Sequence, residues 1–167
     1  SIFLVTGSAD KSVKFWSIEA QDEDTDVASG GQPMFVQTRT LQMTDDVVAV
    51  GYSKTVESTK RFVFVSTLDS TLSMDCSDDD VLLASGGADK TVKIWGLDFG
   101  DTHRTLHGHD DSITDLRFVR RTHNFFTSSK DGTVRYWDGD RFEQILLFNG
   151  HFAEVNCLAV SRNGAFV

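Results

Sequence analysis

The stretch TSSKDGTVRYW (127–137) is written twice more in related letters, as TGSADKSVKFW from Thr6 and SGGADKTVKIW from Ser85. Each copy places a turn rich in Gly, Ser, Asp and Lys before a short run that alternates polar with apolar and ends on Trp. A period of two sends one row of side chains to a buried face and the next toward water, the pattern of a strand half buried in an antiparallel sheet. No long stretch repeats apolar residues at helical spacing, and Pro33 is the single proline. The sequence therefore predicts an all-β fold built from one repeated unit, and such repetition decides the architecture before any single motif is weighed.

Composition narrows the function classes. With 167 residues, 40% of them hydrophobic and 13 of them Phe, the chain can fill a packed core. No run approaches the roughly 18 apolar residues of a membrane helix. The start, SIFLVTGSAD, lacks the basic n-region of a signal peptide, so no membrane partner is expected. Cys76 and Cys157 stand apart in apolar strand-like segments and are expected to be buried thiols, neither a disulfide nor a metal knuckle. Glycines occur singly or in turn pairs, without a phosphate-cradling loop, so no cofactor and no small-molecule substrate are expected. A formal net charge of −9 disfavours broad attraction to a phosphate backbone, which confines any nucleic-acid contact to a local patch.

Two Gly-His dipeptides, Gly108-His109 and Gly150-His151, and Trp137-Asp138 closing a strand 28 residues after His109, complete the pattern. With the three turn-and-strand copies they resemble the WD-repeat family of β-propellers over nearly the whole chain. The resemblance implies four-stranded antiparallel blades, with Gly-His in the loop between the outer strand of one blade and the inner strand of the next. Residues 1–167 then form part of one propeller, about four blades of a larger one. The last blade stops midway at RNGAFV, so a longer polypeptide is expected.

The turn aspartates measure the repeat. Asp89 to Asp131 spans 42 residues, as does His109 to His151. A degenerate copy, VSTLDSTL (65–72), supplies Asp69, which lies 59 residues after Asp10 but only 20 before Asp89. The acidic, Gly-rich stretch IEAQDEDTDVASGGQ (18–32) accounts for most of the first excess as a long loop. Four strands of about five to six residues each do not fit into the second interval. About 22 residues are therefore expected to be missing between Leu72 and Ser73, the shortfall against a beat of 42.

His109, Thr127 and Asp131 supply an imidazole, a hydroxyl and a carboxylate, a set that superficially suggests nucleophilic catalysis. The family resemblance implies instead that these three and Trp137 form one buried hydrogen-bonded network within a blade. Asp accepts, neutral His both donates and accepts, the hydroxyl bridges and the indole N–H donates. The corresponding positions are Ser85, Asp89 and Trp95 in the preceding blade, Thr6, Asp10 and Trp16 in the first, and His151 in the following one. The degenerate copy departs from the pattern, with Val65 at the hydroxyl position and MTDD (43–46) in place of Gly-His, and its blade is expected to be the least rigid. Repetition blade after blade argues against catalysis, so no catalytic residue and no enzyme activity are expected. His103, His107 and His109 in HRTLHGH (103–109) reach a metal-ligand count, but His109 is claimed by its blade and no metal site is expected.

Partner contacts are sought on the loops. Lys11, Lys90 and Lys130 flank the blade aspartates and should ring one face beside Asp110 and Asp111. Basic loops carry Lys60, Arg61, Arg120, Arg121 and Arg162, the candidates for contact with RNA backbone, while SDDD (77–80) is acidic. The stretch GGADKTVKIWGLDFGDTHRTLHGHDDSITDLRFV (86–119), above all GLDFGD (96–101), resembles WD-repeat subunits of the small-subunit processome, and HNFFTSSKDGTVRYWDGDRFEQI (123–145) fits the same group. That resemblance implies a non-catalytic scaffold in precursor ribosomal RNA processing and small-subunit assembly, located in the nucleus and nucleolus. Its implied partners are other WD-repeat and helical-repeat proteins of a subcomplex, with peripheral contact to precursor ribosomal RNA or U-three small nucleolar RNA. The competing expectation is a substrate-recognition or adaptor propeller of a ubiquitin ligase or signalling complex, reading a short peptide at the lysine-ringed face.

Overall fold

Each repeated turn closes an antiparallel hairpin, and the hairpins extend into separate small sheets. The computed structural model describes residues 3–19, 34–44, 46–52, 63–67, 71–98 and 101–161. The chain divides into two compact units, Ser1–Val47 and Val48–Val167. In the first, β1 (Phe3–Gly7), β2 (Ser12–Glu19) and β3 (Met34–Gln42) form a three-stranded sheet in that order.

The second unit contains two four-stranded meanders: β6 (Ser73–Cys76), β7 (Leu82–Gly86), β8 (Val92–Gly96) and β9 (Thr102–Leu106), then β10 (Ile113–Phe118), β11 (Phe125–Ser129), β12 (Thr133–Asp138) and β13 (Glu143–Asn149). The second unit also holds β5 (Val63–Thr67) and, apart from its first residue, β4 (Val47–Tyr52), which form a two-stranded sheet. Asp69 lies outside the described residues. The N–H of Leu72 bonds Gly86 O at 2.8 Å, which ties the residue before β6 to the end of β7. This is an all-β, partially formed propeller.

The three good copies share more than their letters. The hydroxyl residue faces a cation across each central strand pair: Thr6 opposite Lys14, Ser85 opposite Lys93, Thr127 opposite Arg135. The pairing of each Trp-bearing strand to the strand that follows it slips just before the Trp, between Phe15 and Trp16, Ile94 and Trp95, and Tyr136 and Trp137. A bulge there bends the strand and re-aims the indole. The residue after each turn Asp is left-handed, at φ 64° for Lys11, 66° for Lys90 and 82° for Gly132. Only the last copy uses the residue that adopts this conformation without strain.

Burial falls from the inside of each meander outward. β11 is buried throughout, while β13 is exposed along its length and β9 is exposed except for Leu106. One cluster joins the two meanders: Leu82, Ala84, Val92 and Ile94 from one side, and Ile113, Leu116, Phe118, Phe125 and Trp137 from the other. The approach is close enough that a Cβ on Gly86 would run into Ile113 Cγ2.

Carboxylates on each inner strand stitch the next. The Phe118 N–H donates to Asp75 Oδ2 at 2.9 Å, and the Leu158 N–H donates to Asp115 Oδ2 at 3.1 Å. Residues 152–161 thus run beside β10 as β10 runs beside β6, without a partner strand of their own among the described residues. This corrects one expectation: Cys76 is buried, but Cys157 is exposed, with no second strand over it among the described residues.

Candidate functional site

The last good copy brings all four network residues together. The His109 Nδ1–H donates to Asp131 Oδ2 at 2.8 Å, and Nε2 accepts from the Thr127 hydroxyl at 2.8 Å. Thr127 Oγ1 in turn accepts the Trp137 Nε1–H at 2.8 Å. This assignment uses each proton once and needs a neutral imidazole. β11 positions the threonine, β12 the tryptophan, the β11–β12 turn the aspartate, and the loop after β9 the histidine.

Asp131 accepts more than the imidazole. Its Oδ1 takes the Thr133 N–H and hydroxyl, and its Oδ2 also takes the Asp110 N–H. Burial alone would raise its pKa, but these donors outweigh burial and hold the carboxyl far below the ordinary carboxylate range. Burial pushes the His109 pKa down, against the pull of Asp131, which agrees with the neutral ring. Thr127 is fully buried, its oxygen enclosed between indole and imidazole. A nucleophile must reach a substrate, and this hydroxyl meets only its two partners.

The other copies form half of the arrangement. Trp16 Nε1–H donates to Thr6 Oγ1 at 3.0 Å, and Trp95 Nε1–H to Ser85 Oγ at 2.9 Å. Asp10 and Asp89 bind the N–H and hydroxyl of Ser12 and Thr91, as Asp131 binds those of Thr133. Neither has a histidine: Asp89 turns its second oxygen to Lys93 Nζ at 2.9 Å. His151 is exposed and has no hydrogen-bond partner among the described residues.

The surface candidates separate. Lys11 and Lys90 bond the backbone carbonyls of Thr44 and Asp110, and Lys130 is exposed. Lys60, Arg61 and Arg162 lie outside the described residues. Arg120 and Arg121 are exposed but sit beside acids. Arg120 shares a cavity with Asp75 and Asp78, and the Arg121 N–H bonds Asp78 Oδ2 at 3.1 Å. Of the three histidines in HRTLHGH, His109 is buried while His103 and His107 are exposed. Among the described residues the grouping of possible metal ligands is Asp98, Asp101 and His103, all exposed.

Sequence reasoning missed His123, which joins two meanders. Its Nδ1 lies 2.6 Å from Asp140 Oδ1 in the β12–β13 turn, and its Nε2 lies 2.9 Å from Asp79 Oδ2 in the β6–β7 turn. A neutral ring has one N–H, so two carboxylate acceptors require the imidazolium. The signal was present: Asp79 and His123 are 44 residues apart, close to the repeat interval. Asp78 and Arg121 line the same cavity, and burial opposes the charge on the ring. The hydrogen bonds to Asp140 and Asp79 prevail and raise the pKa above 6.5.

The stabilisation from this bridge is complete below the unfolded value of 6.5 and is lost as pH rises through the higher folded value. The urea midpoint should therefore fall over that window in the unsubstituted chain and stay nearly level in His123→Gln. A His123 ring that titrates below 6.5 by NMR would contradict the bridge.

Comparison with known proteins adds the following. The family pattern described as WD domain, G-beta repeat matches residues 1–17, 58–96 and 100–138. Periodic tryptophan protein 2 of Arabidopsis thaliana is 39% identical over 67 residues, 40% of this chain and 7% of that protein. Pre-mRNA-processing factor 19 of Oryza sativa subsp. japonica is 36% identical over 92 residues, 53% of this chain and 18% of that protein. The solved structure of U3-55K superposes with a TM-score of 0.52 at 21% identity, covering 92% of this chain and 37% of that one. The chain thus spans well under half the length of each.

Proposed function

The chain belongs to the WD-repeat family, and from that premise we propose that it serves as a non-catalytic scaffold in ribonucleoprotein assembly, contributing propeller surfaces to protein–protein contacts. The observation that carries the reading is the burial of the one constellation that resembles a catalytic set: His109, Thr127, Asp131 and Trp137 are bonded to one another and serve the sheet. The finer reading is a subunit of the small-subunit processome, acting in precursor ribosomal RNA processing in the nucleolus. It is supported by GLDFGD (96–101) and the stretch around it, which resemble the U-three small nucleolar RNA-associated protein twelve. The name of the rice relative, a pre-mRNA-processing factor, is in keeping with an RNA-processing setting. Arg120 and Arg121 stand among aspartates, which favours protein partners over a broad phosphate-binding surface there.

Capture from nuclear extract followed by mass spectrometry tests this. Small-subunit assembly factors should be recovered; ubiquitin ligase subunits in their absence would replace the reading with the adaptor alternative. The same digest tests the shortened repeat. The two-stranded β4–β5 sheet, beside two sheets of four, supports the reading that about 22 residues are missing between Leu72 and Ser73. A native tryptic peptide running unbroken through residues 62–90 would overturn it.

A further inference from the structure

We propose that the groove between β9 and the β12–β13 turn is a docking site for an extended, acidic segment of a partner protein. The inference rests on the scaffold reading and names the kind of partner one surface takes. The groove has a volume of about 420 Å³, and its walls include Arg104, His107, Arg141 and Glu143 over a floor with Trp137 and Phe142. Glu143 is the one acid on these walls.

Charge sets this groove apart from its surroundings. The chain carries −9 overall, and Arg117 and Lys93 are engaged by acids, Asp115 at 2.9 Å and Asp89 at 2.9 Å. Arg104 and Arg141 have no carboxylate within ion-pair distance among the described residues. Arg104 is held instead over the Phe142 ring, its guanidinium carbon 5.8 Å from the centroid. A cation fixed in this way keeps its N–H donors free for an arriving carboxylate and loses little freedom on binding.

The backbone selects a peptide. β9 is the outer strand of its sheet, in the order β6-β7-β8-β9, and residues 102–105 are exposed. Its outward N–H and C=O groups have no partner strand among the described residues. An extended peptide matches that row of alternating donors and acceptors at strand spacing, and a phosphodiester backbone, whose charged oxygens only accept, does not. Side chains of an added strand alternate, so acidic residues two apart share the face toward Arg104 and Arg141.

The test uses the whole protein, a fluorescein-labelled octapeptide alternating glutamate and valine, and a labelled uridine octanucleotide. Anisotropy should show salt-sensitive binding of the peptide, weakened about tenfold or more by either Arg104→Glu or Arg141→Glu. Amides of residues 102–106 should exchange more slowly with the peptide bound. Arg141 is exposed, so its substitution reads binding without disturbing the fold. Tighter binding of the RNA at the same arginines, no peptide binding, or binding indifferent to both substitutions would overturn the proposal. Capture of assembly factors by the doubly substituted protein, with peptide binding absent from the unsubstituted one, would remove the groove while leaving the scaffold reading intact.

Discussion

Asp131→Ala should destabilise the second unit by about 2–4 kcal/mol, whereas Asp89→Ala, at the same place in the preceding copy, should cost below about 1 kcal/mol. The residue type and the turn are the same; the surroundings differ. Asp131 gathers the His109 Nδ1–H, the N–H groups of Asp110 and Thr133 and the Thr133 hydroxyl. Removing it strands a buried imidazole N–H and loosens the loop that carries Gly108-His109, and unsatisfied buried donors are expensive. Asp89 is exposed, holds Thr91 and pairs with Lys93 in water, where solvent takes over most of what is lost.

Acid titration separates the two further. The Asp131 contribution is present above the unfolded value of 3.8 and is lost as pH falls through its much lower folded value. The gap between the unsubstituted chain and Asp131→Ala should therefore persist well below pH 3.8. Urea midpoints of the three proteins across pH measure both effects. Equal losses in the two variants would show that the histidine adds nothing to the network.

Phe125→Ala should cost about 3–5 kcal/mol. Phe125 is fully buried, with the Phe118 ring centroid at 5.3 Å and the Trp137 indole stacked at 6.3 Å. Truncation opens a cavity walled by the cluster that both four-stranded meanders share, so the damage is not confined to one of them. In a Trp16→Phe background, tryptophan fluorescence, which then reports Trp95 in one meander and Trp137 in the other, and far-ultraviolet circular dichroism should shift together to lower urea. A transition that splits, with one meander unchanged, would mean that the shared cluster does not couple them.

The repeat was legible because alternation and turn chemistry are local. Three turns and their strands were readable from Thr6, Ser85 and Thr127, and the spacing of aspartates marks a short interval, Asp69 to Asp89, that begins just after the two-stranded β4–β5 sheet. The His109 network was readable only through family resemblance, since its members are 10 to 22 residues apart and meet by strand register. The bulge before each Trp left no mark in the letters, because a slipped pairing depends on two strands at once. The left-handed position escaped notice for a different reason: Lys11 and Lys90 hold it where glycine would have announced it. His123 was hidden by its neighbours, Arg120 and Arg121, which made its turn look like a basic tip and drew attention from a histidine set between two acids.

The stitching between inner strands has a polarity. In the carboxylate-to-backbone bonds the earlier strand supplies the oxygen, from Asp75 and then Asp115, and the later one supplies the N–H, from Phe118 and then Leu158, while the Ser73 hydroxyl donates in the opposite sense to Asp115 Oδ1. For these bonds a stack has two unlike ends, one offering side-chain carboxylates and one offering backbone N–H groups. Two such stacks presented with like ends would set carboxylate against carboxylate, or N–H against N–H. Only head-to-tail joining satisfies both, which is the heterologous kind of contact that either closes into a ring or continues without end.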